Sequence, residues 1–243
     1  MFLAMVMRGV SAISPTAEQL MQWGANNAGS VLINDQWWRI ITAMFVHVGI
    51  IHLATNMWCL WNLGLLAEPL MGSFGVVAVY VLTGAAGNLL SVFWNGLQFN
   101  VTAVSQQIVH HAVDPWPYFP PGVGASGAVF GIAGALIVLL KSQRLPVPLE
   151  ELKRLRKSVI YFAAINLVIG FGVSWPALSS KTGISIDNSA HLGGVLCGLL
   201  FATPMVPRIG NPRPIFDRRL HGAVWMIVGI LVLFAFFISR MMG

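Results

Sequence analysis

Apolar runs at roughly 44–67, 74–95, 122–140, 159–175, 188–207 and 222–239 dominate the chain, separated by shorter polar stretches. Each run is close to the ~20 residues that a helix needs to cross a hydrocarbon core about 30 Å thick. A backbone exposed to lipid must satisfy its own hydrogen bonds, so each run is predicted to be a helix. The strand-like alternation of a membrane barrel is absent, as is any repeat of about 20–50 residues. The pattern predicts an all-α, polytopic membrane bundle.

Composition agrees. Of 243 residues, 56% are hydrophobic and 9% charged, against about a quarter charged in an ordinary soluble domain. The mean hydropathy is +0.75. A water-soluble globule is excluded. Cys59 and Cys197 both lie in apolar runs and are too few for a disulfide framework, so they read as small buried thiols.

The net charge of +6 acquires meaning only when sorted by segment. Lys141, Arg144, Lys153, Arg154, Arg156 and Lys157 oppose Glu150 and Glu151 in one connection. Arg208, Arg213, Arg218 and Arg219 oppose Asp217 in another. Two spans separate these connections, so they share a side, and the positive-inside rule makes it the cytoplasm. The turn at 68–73 falls on that side too, while 96–121, 176–187 and the residues before 44 face outward. The basicity is an orientation signal and does not point to nucleic acid. A compact chain of this kind fits a bacterial cytoplasmic membrane.

Polar side chains inside a bilayer are functional candidates by default, because burying them is costly unless they are paired. His52 and Asn56, Ser126, and His191 all fall near the outer ends of their predicted helices. Ser126 sits in Gly122-Val123-Gly124-Ala125-Ser126-Gly127. Glycines there admit close backbone approach and leave N–H groups for an oxyanion. The same stretch also reads as helix packing with a serine cap. His191 follows Ala190, and Ala190, Gly194 and Gly198 recur on one helical face. Gly127, Gly131 and Gly134 thin the Ser126 helix similarly. Two such faces can pack closely enough to bring an imidazole base to a serine hydroxyl. His52 and Asn56, four apart, share a face and are candidate oxyanion donors. His47 and His52 are five apart and do not share one, which weakens a metal reading, and no zinc motif is present. His110 and His111 lie in an outer loop. Asp187, four residues before His191, reads either as a helix cap or as a third member of the site.

Trp38-Arg39, His47, His52-x-x-x-Asn56, Gly124-Ala125-Ser126-Gly127 and Ala190-His191-x-x-Gly194-x-x-x-Gly198 together resemble the rhomboid intramembrane serine proteases over roughly residues 36–205. The resemblance implies a six-helix core with a Ser–His dyad that cuts transmembrane helices of protein substrates near their outward end, without cofactor or metal. Ser126 would be the nucleophile and His191 the general base. His52, Asn56 and the Ser126 N–H would hold the oxyanion, and Phe130 would stack on the histidine. Gly124 and Gly127 would flank the serine, with Gly194 and Gly198 as the packing face. Trp38 and Arg39 would belong to an outer loop at the membrane interface, and Glu68 would tie helices at the cytoplasmic end.

On this reading residues 1–43 hold a truncated first core helix and the outer loop. Residues 44–207 form the catalytic core, and 208–243 a basic cytoplasmic linker with an extra C-terminal span. The rival functions are a non-catalytic rhomboid-like protein that binds membrane proteins, and a small polytopic transporter. Visible duplication, common in transporters, is missing here.

Overall fold

A computed structural model of the protein describes residues 1–109, 114–142, 145–173, 186–208 and 212–242. Short helices come first: α1 (Phe2–Met7), α2 (Ala17–Gln22), α3 (Ala28–Leu32) and α4 (Arg39–Thr42). The bundle then comprises α5 (Ile50–Gln98), α6 (Val101–Val109), α7 (Ser126–Leu139), α8 (Leu149–Val173), α9 (Asn188–Ala202) and α10 (Arg213–Met242). Among the described residues, extended pairing is limited to one bridge between Asn26 and Gly122. The chain is thus a helical membrane bundle. Of the predicted loops, most of 176–187 and the pair His110 and His111 lie outside the described residues.

α5 accounts for the first two predicted spans. Its 49 residues are broken at Gly72, where φ 75 and ψ 165 are non-helical. The positive φ favours glycine, and Pro69 just before it removes a helical donor. Glu68 accepts a 2.6 Å hydrogen bond from the Ser73 hydroxyl across this break. The turn is therefore tied on both sides, within one hairpin of spans. The first span starts later than its hydropathy suggests, at Ile50 and not at residue 44. Gly49, with φ +118 and its α-carbon against the Ile13 carbonyl, ends the preceding segment, and Ile50 N–H bonds Ala12 O at 2.7 Å. The N-terminal segment is thereby strapped to the head of α5.

The charged stretch 208–221 also differs from a plain linker, since α10 is already helical from Arg213. Pro214 stands in its first turn, where a missing N–H costs nothing. The basic residues thus ride on a helix that projects beyond its apolar part. At its other end the helix leaves Trp225, Val232, Leu233 and Phe236 exposed, as suits a lipid-facing surface.

Among the described residues, α5, Asn188–Val206 and Pro214–Met242 are long and apolar enough to cross a membrane. α7 is shorter, with 14 residues, or about 21 Å of rise. It compensates by being enclosed: every residue from Gly127 to Leu136 is buried. Ile132, Leu136 and Leu139 of α7 pack with Val79 and Leu63 of α5 and Phe201 of α9 in the main core. A helix that is apolar on all sides and shorter than the bilayer must sit centrally, with its ends recessed. Arg156 of α8 donates to Ile137 O at 2.9 Å, placing a cation at the C-terminal end of α7, where the helix dipole favours it.

The α7–α9 contact is made of backbone. An added β-carbon at Gly194 would collide with Gly127 O, one at Gly198 with Gly131 O, and one at Gly134 with Val195 O. Ala at position 198 is therefore expected to cost about 1–3 kcal/mol, seen as a lower thermal midpoint in detergent. Gly229→Ala, whose methyl meets nothing within 4 Å, serves as the control and should not lower it. Equal midpoints for both variants would count against the close packing.

Candidate functional site

Ser126 opens α7, and no side chain caps that helix. The first-turn N–H groups of a helix lack intrahelical acceptors, so α7 directs free donors toward the space beside the Ser126 hydroxyl. The residues ahead of it are held tightly. Gly124 has φ +114, a left-handed value suited to glycine. A β-carbon there would lie 2.6 Å from His52 Cε1, 3.0 Å from its Nε2 and 3.7 Å from Asn56 Nδ2. Gly124 therefore permits the His52 ring and the Asn56 amide to lie directly against the loop that presents the serine. Asn56 is buried, and its Nδ2 donates to His52 O at 3.0 Å. One N–H of that amide is left for another acceptor.

His47 buttresses the same loop. It precedes the membrane helix, is buried, and lies with its ring centroid 5.3 Å from that of His52. Burial lowers its pKa to about 4, and His52 adds to this. The ring is thus neutral at pH 7, and its Nε2 accepts the Ala125 N–H at 3.4 Å. Gly124 N–H bonds Ala43 O at 3.0 Å.

His191 lies in the first turn of α9 and is 8% exposed. Its Nε2 is 2.8 Å from Ser126 Oγ, although the two residues are 65 positions apart. Phe130, one turn after Ser126, stacks on the imidazole with centroids 4.3 Å apart and planes 13° from parallel. The ring is therefore held by a hydroxyl on its edge and an aromatic on its face. A neutral imidazole in this pose accepts the serine proton at Nε2, provided the other nitrogen carries the hydrogen. Among the described residues, Nδ1 has no hydrogen-bond partner.

Asp187 is the N-cap of α9, and its Oδ1 accepts the Ala190 N–H at 3.1 Å. Its carboxylate also accepts from Ser189 and, through Oδ2, from Ser91 of α5. Ser91, Asn88 and Asn95 escaped the reading of the sequence. Their three- and four-residue spacing puts polar groups on one face of an apolar span, and that was the available signal. Asn88 donates to Ile40 O at 2.8 Å and Asn26 donates to Asn88 O at 3.1 Å, anchoring the outer segment to α5.

The Trp38-Arg39 pair sits apart from the serine. Arg39 is buried and donates to Met21 O at 2.8 Å and Ala25 O at 2.9 Å. Burial lowers its pKa, and Asp114 opposes the shift. Trp38 is exposed, with the Arg39 guanidinium 4.5 Å from its ring centroid. These residues organise the outer segment. Glu68 lies at the far end of the first arm of α5, at the Gly72 break. No group of three or more His, Cys, Asp or Glu able to hold a metal occurs among the described residues, and Cys59 and Cys197 are free thiols.

Comparison with known proteins agrees with this architecture. Residues 34–208 match the family model for the rhomboid domain. The chain is 32% identical over 215 residues to rhomboid protease GluP of Bacillus subtilis, covering 88% of this chain and 34% of that protein. It is 30% identical over 196 residues to rhomboid protease AarA of Providencia stuartii, covering 79% of this chain and 64% of that one. It is 31% identical over 200 residues to RHOMBOID-like protein 6, mitochondrial, of Arabidopsis thaliana, covering 82% and 54% respectively. The chain thus spans less than two thirds of each of these relatives. A family match over most of its length, on a multi-pass helical membrane protein, means that this chain belongs to the rhomboid family.

Proposed function

We propose that the protein is an intramembrane serine endopeptidase that cleaves transmembrane helices of other membrane proteins with a Ser126–His191 dyad. The observation that carries this reading is the 2.8 Å approach of His191 Nε2 to Ser126 Oγ. Distant segments meet there through the glycine faces of α7 and α9. Relatives named as rhomboid proteases support the reaction class. The orientation set by the basic loops puts the dyad toward the outer face of a cytoplasmic membrane.

Ser126 Oγ attacks the scissile carbonyl as His191 Nε2 removes its proton. The negative charge forming on the carbonyl oxygen is held by the Ser126 N–H, the Asn56 amide and His52. Collapse expels the amine, which takes the proton from His191, and leaves an acyl group on Ser126. Water, deprotonated by the same nitrogen, then releases the acid and restores the hydroxyl. Phe130 keeps the imidazole plane fixed through both half-reactions. A recessed serine on a short helix must be reached by water from the outside, and a substrate helix must unwind to expose a carbonyl, since helical carbonyls are already hydrogen-bonded.

Purified protein with a model transmembrane substrate tests the reading. Wild type is expected to cut it and Ser126→Ala to leave it intact; absence of cutting by wild type, or equal cutting by the variant, would sink the proposal. Asn56→Ala should lower kcat by about 100-fold, the usual effect of losing one oxyanion donor, with little change in KM. A Gly or Pro placed near the scissile bond should speed cleavage, and indifference to such residues would argue against local unwinding.

A further inference from the structure

We infer that Asp187 and Ser91 form a latch that positions His191, so that Asp187 acts through the α9 backbone and not as a third catalytic residue. The inference rests on the protease reading above and concerns how its base is held.

Three donors converge on the Asp187 carboxylate. The Ala190 N–H reaches Oδ1 at 3.1 Å, and the Ser189 hydroxyl donates to the same oxygen. The Ser91 hydroxyl, 96 positions away, donates to Oδ2. Ser91 is itself buried and receives the Asn95 amide at 3.2 Å. Both carboxylate oxygens are thus committed, one to the first turn of α9 and the other to the second arm of α5. His191 begins its own helical bonding on this residue, its N–H meeting Asp187 O at 3.3 Å. Between the two, the Ala190 carbonyl occupies the space that a β-carbon at Gly87 or Gly127 would need. The turn that carries the base is therefore clamped at its cap by Ser91 and along its side by two glycines.

The carboxylate makes no hydrogen bond to the imidazole: none of its bonds goes to His191, whose Nδ1 has no partner among the described residues. In a triad the carboxylate orients the ring directly. Here Phe130 holds the plane of the ring and Asp187 holds the helix end beneath it. A displacement of about 1 Å in a reacting pair can cost about 100-fold in rate, so a backbone latch is sufficient to control the 2.8 Å contact with Ser126.

The latch predicts a pattern that a triad does not. In Asp187→Asn the side-chain oxygen still caps Ala190, and the amide can donate to Ser91 Oγ with the hydroxyl turned away. This variant should keep kcat within about threefold of wild type, so the conservative change rescues what Asp187→Ala loses. Asp187→Ala and Ser91→Ala should each lower kcat about tenfold or more, on the scale of a misplaced base, with KM within about twofold. A Ser91→Ala protein of wild-type activity overturns the latch. So does an Asp187→Asn protein as impaired as Asp187→Ala. Amide hydrogen exchange at Ala190 and His191 decides the matter independently of catalysis. Faster exchange in Ser91→Ala than in wild type supports the latch even if wild type proves inactive, an outcome that removes only the protease reading. Unchanged exchange overturns the latch.

Discussion

The site depends on a contact between two backbones. Gly194 and Gly198 of α9 rest on the carbonyls of Gly127 and Gly131, and Gly134 of α7 rests on Val195 O. Any side chain at these positions would push the helices apart. Lipid tails are as apolar as leucine, so helices in a bilayer gain little from burying large side chains and associate through close packing instead. Here that packing also sets a register. With α7 and α9 in contact at their glycines, the first turns of both helices face each other, and the hydroxyl at one meets the imidazole at the other.

The remaining structure protects this contact. α5 wraps α7 and α9 as a hairpin, broken at Gly72 and fastened by Glu68 and Ser73. Its first arm brings His52 and Asn56 over Gly124, and its second arm brings Ser91 to Asp187. The segment from α2 to α4 is held by buried polar bonds from Arg39, Asn26 and Asn88. α10 contributes packing on one side and a lipid-facing surface on the other. Buried polar groups cluster near the Ser126 end of α7, where partners or water can satisfy them.

Much of this was legible in one dimension. The spans could be found because hydrophobic length is a local property. Ser126, His191, His52 and Asn56 stood out as polar residues in apolar runs. Boundaries were less visible. The apolar run beginning at residue 44 hides the Gly49 break, which depends on a backbone angle, and the charged stretch after Pro212 hides the start of α10. Ser91 was overlooked because a serine in a span is cheap to bury, bonding its own helix when no partner exists.

The sequence by itself determined that this is a helical membrane protein and which residue types are available to its site. Those properties follow from local hydrophobicity, charge and glycine spacing. Only the tertiary structure decided that Ser126 lies 2.8 Å from His191, that Phe130 holds the ring, and that Asp187 bonds Ser91 and not the imidazole. These are relations between segments 65 and 96 positions apart or between ring planes, fixed by how three helices pack, and no local pattern in the chain encodes a distance of that kind.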